Sequence, residues 1–269
     1  MAHNYSRSIC AVPIQSKASG PHLLPPFRIT GADPLIPDGD QRVTFHMAAA
    51  GGQVSAVKLL RNMTQAVPGA HSARDRDGHT PLHAAAERGH VKVVRQLLRW
   101  RCSIETESQH QSRPLHLAAR HGHGPVISFL LEKQANHAVK DETGAEPLHL
   151  AVISGCKSAV EILLQSGAQV HSRNHEGNQP IHIAADSGQA SIAMLLLSAR
   201  SDVNAIGAQG QPWMMAQAQQ DVKLSVALKP HQELSKLKQH SIYLDITRTF
   251  VNIVNCEPCE LDIWELGSL

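Results

Sequence analysis

The chain has 269 residues, a formal net charge of +2 and only 3% aromatic residues. This composition is not typical of a nucleic-acid-binding protein, which needs a strongly cationic surface and aromatic side chains for base stacking. We therefore predict no nucleic-acid partner. The sequence shows no signal-peptide pattern and no apolar run of about 18 residues, so we also predict no membrane contact and a location in the cytoplasm or nucleus.

Five cysteines lie at scattered positions, which is not the pattern of a disulfide framework in a chain of this size. This usage favours a reducing compartment. Cys256 and Cys259 form an isolated CxxC pair. A structural zinc site needs four ligands, and a redox CxxC needs a helix N-terminus in a βαβ setting; neither context is visible. We predict no metal site, with zinc or redox chemistry at this pair as an open alternative.

Residues 1–37 contain six prolines separated mainly by polar residues. Such a segment cannot bury enough apolar surface to offset the entropy lost on ordering, so we predict a disordered N-terminal arm. The chain has no Asp or Glu before Asp33, which leaves a mitochondrial presequence open, although no clear amphipathic helix accompanies the basic residues. The segment LLPPF at 23–27 is alternatively a short docking peptide.

A histidine returns at a fixed spacing through the middle of the chain. In the series His83, His116, His149 and His182, each histidine comes 33 positions after the one before. His83 lies in the stretch DGHTPLHAAAERGH (77–90), and altered copies of this stretch surround the other three histidines. A fixed period of this size marks a stacked array of small structural units rather than one globular core.

Each unit reads as a turn followed by two short helices. Thr80 is expected to cap the first helix with its hydroxyl, and Pro81 occupies the first helical position, where no backbone N–H is needed. Gly89 ends this helix, and a second helix follows from Val91 with apolar residues at helical spacing. Helices of about ten residues do not persist alone, so stacking between units must stabilise them.

The first and last units are atypical, as the ends of a stacked array are expected to be. Residues 43–52 (VTFHMAAAGG) keep the histidine, His46, but lack proline. The step from His46 to His83 is longer than the steps that follow it, and we place the additional residues in a longer surface loop within 63–74. Around Pro212 a damaged unit has methionine where the histidine would be, and we expect it to close the array.

The array resembles the ankyrin repeat family, whose signature is T-P-L-H-x-A in a unit of about 33 residues. The resemblance covers residues 38–204 and implies an all-α ankyrin-repeat solenoid of helix-turn-helix units with β-hairpin-like turns. The predicted domains are a disordered arm at 1–37, an ankyrin repeat domain at 38–220 and a C-terminal tail of unknown role at 221–269. The domain has five repeats at about 38–74, 75–107, 108–140, 141–173 and 174–206, and a degenerate cap at 207–220.

Only the second repeat has the complete T-P-L-H tetrad. Arg113, Glu146 and Gln179 stand where the capping threonine belongs, so we expect each of these helices to lose about 1 kcal/mol of stabilisation from a cap. Gln111 replaces the turn glycine of the other full repeats. We expect these changes to affect local stability and not the fold.

The sequence contains no GxxxxGK, GxSxG or HExxH motif, so we predict that the protein is not an enzyme and uses no cofactor. In the ankyrin family the repeat histidine is structural and bonds to the backbone of a neighbouring turn, and the resemblance implies this role here. Asn204 ends a segment, LLSARSDVN, that resembles the substrate of the asparaginyl hydroxylase that modifies ankyrin proteins. It is a candidate modification site, although asparagine at this position also commonly closes the repeat turn.

In the ankyrin family, partners bind at the turn tips and the exposed face of the first helix, where residues differ between repeats. The corresponding residues here, together with two apolar candidate anchors, are Arg76, Asp77, His79, Glu87, Arg88, Trp100, His110, Arg120, His121, Glu142, Ile153, His175, Glu176 and Asp186. Ile153 is apolar in a polar strip, which is typical of an interface anchor, unless it is tucked against Ile183.

We therefore predict a monomeric, non-catalytic adaptor, scaffold or regulator that binds an unidentified protein partner through the concave face of the repeats. The alternative is a substrate-recognition subunit of a ubiquitin ligase that uses residues 221–269 for recruitment. The end of that tail mixes acidic and apolar residues, as expected of a short linear motif or of a frayed terminus.

Overall fold

The computed structural model describes residues 35–64, 69–218 and 222–229. Residues 1–34 of the predicted arm, the Cys256–Cys259 pair and the tail beyond residue 229 lie outside these described residues. Within the described ranges the chain forms helices joined by turns, with no β-strand. The predicted all-α class is confirmed.

The helices come in consecutive pairs, and we name the first helix of each pair the inner helix and the second the outer helix. The pairs are α1 (Thr44–Ala50) with α2 (Val54–Met63), α3 (Pro81–Glu87) with α4 (Val91–Arg99), α5 (Pro114–Arg120) with α6 (Gly124–Glu132), α7 (Pro147–Ile153) with α8 (Lys157–Gln165), α9 (Pro180–Asp186) with α10 (Ala190–Ser198), and α11 (Pro212–Ala218) with α12 (Val222–Leu228). A 3-10 helix, Ala70–Ser72, lies between α2 and α3.

Proline and glycine set the limits of the inner helices. Proline is the first residue of each inner helix from α3 to α11, where its missing N–H is not needed. Four of these helices end at their seventh residue and are followed by a left-handed glycine. These glycines are Gly89, Gly122, Gly155 and Gly188, with φ between 65° and 77°. The predicted helix ends are confirmed at these positions.

Each inner helix packs on the inner helices of the neighbouring pairs, and the outer helices also stack in sequence. Small residues permit this close approach, because each of four inner helices has a completely buried alanine at the same position of the repeat: Ala85, Ala118, Ala151 and Ala184. On the outer helices the first leucine of each Leu-Leu pair is completely buried: Leu97, Leu130, Leu163 and Leu196. One apolar core therefore runs through successive pairs.

The repeat histidine lies at the third position of its inner helix and bonds in two directions. In five repeats Nδ1 accepts the N–H of the residue before the helix, at 3.1 to 3.2 Å. Nε2 lies 3.0 to 3.1 Å from a backbone carbonyl oxygen 23 to 33 residues further along the chain. Because Nδ1 accepts, Nε2 carries the proton and donates it to that oxygen. The predicted structural role is confirmed.

This histidine contact also changes the account of how the inner helices begin. The hydroxyl of Thr80 lies 2.9 Å from Nδ1 of His83. The backbone N–H groups of Arg113, Glu146 and Gln179 bond to their own repeat histidines just as that of Thr80 does. The repeat histidine therefore makes the same contact at the helix start with or without threonine, and the cost of about 1 kcal/mol for each missing threonine cap stays a prediction.

A single side chain holds the turn that precedes each inner helix. In the second repeat, Oδ1 of Asp75 accepts the N–H of Asp77 at 3.1 Å and that of His79 at 2.7 Å. Equivalent acceptors, each bonding the N–H four residues later, are Asp38, Ser108, Asp141 and Asn174. These residues lie at the starts of the predicted repeats. Each turn therefore keeps its shape without a continuous sheet.

Backbone hydrogen bonds join the tip of each turn to the tip before it. The N–H of Gln109 donates to the carbonyl oxygen of Asp77 at 2.8 Å, and that of His175 donates to Thr143 at 2.9 Å. The tips at Arg76 and Glu142 make the corresponding bonds. The tips therefore form one row whose spacing is set by the stacking of the repeats.

Gln111 takes the left-handed conformation of the glycine that it replaces. Its φ is 54°, and the glycines at the equivalent position, Gly78, Gly144 and Gly177, have φ between 73° and 79°. A residue with a Cβ atom is disfavoured in this region by roughly 1–2 kcal/mol. The third repeat thus keeps the turn at a local energetic cost.

The loop between α2 and α3 folds back onto the array. Residues 65–68 of this loop lie outside the described part, but its 3-10 helix buries Ala70 and His71. The His71 ring meets the Trp100 ring edge-on with 6.1 Å between centroids. The guanidinium of Arg61 lies 2.7 Å from Nδ1 of His71 and 5.7 Å from the centre of the Trp100 ring. The predicted surface loop is therefore anchored on the outer helices.

The last pair extends past the predicted domain boundary at residue 220. Helices α11 and α12 pack against each other, with Leu224 and Leu228 of α12 buried. Met214 stands at the position of the repeat histidine, as the sequence indicates, and is 44% exposed. Since no helix pair follows in the described residues, no next turn is present for this position to bond. The boundary at 220 would separate two helices of one pair.

Candidate functional site

The last residues of four inner helices form a row of solvent-facing side chains that differ from one repeat to the next. They are Glu87, Arg120, Ile153 and Asp186, each at the seventh position of its helix. Arg120 and Asp186 are exposed and Glu87 is partly exposed. Because consecutive inner helices pack on one another, these side chains belong to one surface, which we name the inner-helix row.

Ile153 is the apolar member of the inner-helix row and is 51% exposed. In the alternative interpretation Ile153 packs against Ile183. Ile183 is itself partly buried in the core. Half of the Ile153 side-chain surface thus remains in water, between a cationic and an anionic neighbour in the row. A half-exposed isoleucine flanked by polar groups is what an interface anchor looks like before its partner binds.

A second row is formed by the turn tips. Its exposed members are Arg76, Asp77, His110, Glu142, His175 and Glu176. The backbone bonds between successive tips place these side chains side by side. Together with Arg88 and His121, which directly follow the inner helices α3 and α5 and are exposed, they complete the predicted surface.

Two of the predicted tip residues pair with each other. Nδ1 of His110 lies 2.9 Å from the Glu142 carboxylate on the next tip. The hydrogen bond to Glu142 and its negative charge raise the pKa of His110 above its usual value. Both side chains are about half exposed, so salt screens the pair and it adds little to stability. The pair instead fixes a charged patch that a partner can meet.

Three predicted binding residues are less available than the others. The His79 ring stacks on the His83 ring with 5.3 Å between centroids and lies 4.0 Å from the Asp75 carboxylate. Glu87 is only partly exposed. Trp100 follows α4, an outer helix, and packs on the 3-10 helix rather than standing free. The structure therefore brings most of the predicted residues into two rows on the inner side and leaves Trp100 on the outer side.

The family model described as ankyrin repeats (3 copies) matches residues 22–109, 45–141 and 115–207. These matches cover more than half of the chain. The protein belongs to the ankyrin repeat family. Its paired helices are those of an ankyrin solenoid, and ankyrin repeats are generally protein–protein interaction modules rather than enzymes. Both rows described above lie within the matched residues.

The repeat histidines of this ankyrin array are unsuited to acid–base or metal chemistry. Burial lowers the pKa of His83 to about 3 and that of His149 to about 4. Burial also lowers the pKa of His46, His116 and His182. Both ring nitrogens are already engaged with backbone groups in each case. These rings are thus neutral structural groups at physiological pH.

Sequence reasoning missed a second set of contacts between repeats. Nε2 of His90 lies 2.9 Å from the carbonyl oxygen of Ala50, and Nε2 of His123 lies 2.7 Å from that of Glu87. Each of these histidines follows a glycine and reaches back to the end of the inner helix in the preceding repeat. The signal was present in the sequence, because His90 and His123 are also separated by one full period of the array.

The other features considered are the candidate modification site at Asn204, metal-binding clusters and membrane-spanning helices. Asn204 lies on an exposed turn after α10, where its backbone N–H bonds to Asp202 at 2.9 Å. No group of three metal-binding side chains is found among the described residues. In the same part of the chain no helix is long and apolar enough to cross a bilayer.

Proposed function

We propose that this ankyrin repeat protein is a non-catalytic adaptor, scaffold or regulator that holds one protein partner across the inner-helix row and the turn tips. The observation that carries the proposal is the contrast between the residues that repeat and the residues that differ from one repeat to the next. Residues that return at the period of the array are buried and bonded, whereas Glu87, Arg120, Ile153 and Asp186 differ in charge and reach solvent. Such a surface supports selective binding without changing the stacking of the repeats.

The charge order along the row defines the kind of partner. From α3 to α9 the row presents a carboxylate, a guanidinium, an apolar side chain and a second carboxylate. A folded protein of mixed charge with an apolar spot at its centre complements this order. A partner whose charges follow the same order as the row is rejected, because each charge in the row would then face a charge of the same sign.

Recovery of partners by the full-length tagged protein tests the proposal. Ile153→Arg places a charge at the apolar centre of the row, and Arg120→Glu reverses its cation. Met194→Arg is the matched control, because Met194 is an exposed apolar residue of α10, an outer helix. We expect the first two variants to lose the same partner and the control to retain it. Equal recovery by all three variants would show that the inner-helix row is not the binding surface.

The ubiquitin-ligase alternative depends on residues 221–269. The first helix of that segment, α12, is packed against α11 with Leu224 and Leu228 buried. Leu224 and Leu228 therefore pack within the last helix pair, and recruitment of a ubiquitin ligase would depend on the chain beyond residue 229. Asn204 stays a candidate for hydroxylation, tested by mass spectrometry of the protein purified from cells that contain the hydroxylase. We also propose that the protein acts as a monomer in the cytoplasm or nucleus.

A further inference from the structure

The overall charge of +2 conceals a strong separation of charge along the chain. Residues 54–101 contain nine lysines and arginines and three carboxylates, a net charge of +6, so the rest of the chain carries −4. Helices α2 and α4 in this segment have no acidic residue. The outer helices α2 and α4 pack on each other, so their cations share one surface.

This surface, which we name the basic outer face, consists of Lys58, Arg61, Lys92, Arg95, Arg99 and Arg101. All but Arg61 are exposed. Two of the guanidiniums rest on aromatic rings, Arg61 on Trp100 and Arg95 on Phe129 at 4.7 Å. The other four cations form no ion pair with any carboxylate in the described residues.

On the outer helices α6 and α8, charged residues lie beside residues of opposite charge. On α6, Glu132 pairs with Lys133, the next residue, at 2.9 Å, and on α8 Lys157 pairs with Glu161 at 3.6 Å. Helix α10 has no charged residue. Arg95 lowers the pKa of Glu132 through its charge, after the larger effect of Lys133, with which Glu132 is paired. Among α2, α4, α6, α8 and α10, only α2 and α4 have an excess of positive charge.

A complementary segment exists in the same chain. Residues 249–269 contain Glu257, Glu260, Asp262 and Glu265 and have no lysine, arginine or histidine, so the net charge of their side chains is −4. Apolar residues Leu261, Ile263, Trp264 and Leu266 lie among these acids. This arrangement suits a cationic surface with aromatic and aliphatic surroundings, which the basic outer face provides around Trp100 and Phe129.

The connecting chain is long enough. Between the end of α12 at Leu228 and residue 249 lie about 20 residues, which span up to about 66 Å when extended. Helix α4 lies four helix pairs before α12, and α2 lies five pairs before it. Helices pack about 8–10 Å apart, so five steps amount to roughly 50 Å. The tail therefore reaches α2 and α4 without unfolding any described helix.

We propose that residues 249–269 dock on the basic outer face of the same molecule, with Glu257, Glu260, Asp262 and Glu265 facing the cations of α2 and α4. The tail then covers an outer surface that is separate from the inner-helix row. The contact is electrostatic and weakens as salt is added.

Zero-length carbodiimide cross-linking of the full-length protein tests this docking, because it joins carboxylates to lysine amines in direct contact. At low protein concentration we expect links from Glu260, Asp262 or Glu265 to Lys58 and Lys92, several-fold more abundant than links to Lys157. Lys157 is the matched control, since it is also exposed on an outer helix but in a neutral region. Raising salt to about 0.5 M, where the screening length is only a few ångströms, should remove the links to Lys58 and Lys92.

A charge exchange tests the same contact independently of lysine reactivity. Lys92→Glu with Arg99→Glu should remove most of the remaining links from the tail to Lys58. Adding Glu260→Lys and Glu265→Lys should restore tail contact through the reversed pairs. Lys92 and Arg99 are exposed, so the variants at these two positions are expected to fold, and Glu260 and Glu265 lie outside the described residues.

The proposal is overturned if Lys58 and Lys92 are linked no more than Lys157, or if the charge exchange restores nothing. Mixing isotopically light and heavy protein identifies links between molecules. If all tail links join different molecules, a second copy is the occupant and the intramolecular proposal is wrong.

Discussion

The Nε2 atom of His83 lies 3.1 Å from the carbonyl oxygen of Ser112, which is 29 residues further along the chain and belongs to the next repeat. The other nitrogen of the same ring accepts the N–H of Thr80 in its own repeat at 3.1 Å. One buried imidazole therefore ties a helix start to the neighbouring turn. The same relationship in five repeats explains why histidine is the residue that keeps the period.

Removing one repeat histidine should destabilise the array. His116→Ala leaves the N–H of Arg113 and the carbonyl oxygen of Val139 without this partner in a partly buried place. We expect the free energy of unfolding to fall by about 3 kcal/mol, since each buried polar group left unpaired costs about 1–3 kcal/mol. Urea denaturation followed by circular dichroism measures it. His121→Ala, at an exposed position, should change stability by less than about 0.5 kcal/mol.

Stability should fall as the pH is lowered through the range in which the unfolded histidines titrate. Burial lowers the pKa of His149 to about 4 and that of His83 to about 3, whereas the same side chains in the unfolded chain have a pKa of 6.5. Below pH 6.5 the unfolded chain binds protons that the folded protein does not, so the loss begins there and continues to about pH 4 for His149 and about pH 3 for His83.

At pH 5 each of these two histidines should cost about 2 kcal/mol relative to pH 7.5. Urea denaturation at a series of pH values measures the effect. A His149→Gln variant, which has one fewer titrating ring, should be less stable at pH 7.5 but lose less stability on acidification. A free energy of unfolding that stays constant or rises from pH 6.5 to 5 would contradict the neutral, buried state of these rings.

Restoring glycine in the third turn should stabilise the protein. Gln111 has a φ of 54°, which glycine adopts without steric penalty. We expect Gln111→Gly to raise the free energy of unfolding by about 1 kcal/mol. The substitution removes the steric cost of roughly 1–2 kcal/mol that the left-handed region imposes on other residues. Part of this gain is offset because glycine loses more conformational entropy on folding than glutamine does. Thermal melting by calorimetry measures it. An unchanged or lower melting temperature would show that a contact of the Gln111 side chain stabilises the protein by at least as much as the backbone strain destabilises it.

The glycine between paired helices should be sensitive to a single methyl group where the next repeat reaches it. A Cβ atom at Gly89 would lie 2.7 Å from Nδ1 of His123, whereas one at Gly188 would meet nothing within 4 Å. Both glycines have positive φ, so alanine is strained at either site. We expect Gly89→Ala to be more destabilising than Gly188→Ala, which carries only the strain of about 1–2 kcal/mol. Equal losses would mean that the His123 contact is easily rearranged.

The fold was predictable from the sequence because its main determinants are local and repeat at one spacing. Pro81 and Gly89 bound a helix whatever surrounds them, and the period of the histidines indicates stacking. The contact between His83 and the start of its helix was not predicted, because the sequence indicates only a threonine cap at Thr80 and the position of the His83 ring is needed to show the contact. The same limit applies to Gln111, whose left-handed conformation is imposed by the turn and is not preferred by glutamine.

Only part of the candidate site was predictable from the sequence. The resemblance to the ankyrin family implied which positions of each repeat face solvent, and the fixed spacing assigned those positions to Arg120, Ile153 and Asp186. Trp100 could not be assigned in this way, because its ring contacts His71 in a loop that interrupts the period. Whether the selected side chains bind a partner stays a prediction, since exposure permits binding but does not require it.

The most direct test of the central claim, that the inner-helix row selects the partner while the repeated residues hold the fold, is partner recovery by a triple variant. Glu87→Ala, Arg120→Ala and Ile153→Ala together remove the row's two signs of charge and its apolar centre, and their thermal melting should differ little from that of the unaltered protein. We predict that this folded variant no longer recovers the partner that the unaltered protein recovers. Full recovery by a variant with unchanged melting would contradict the account.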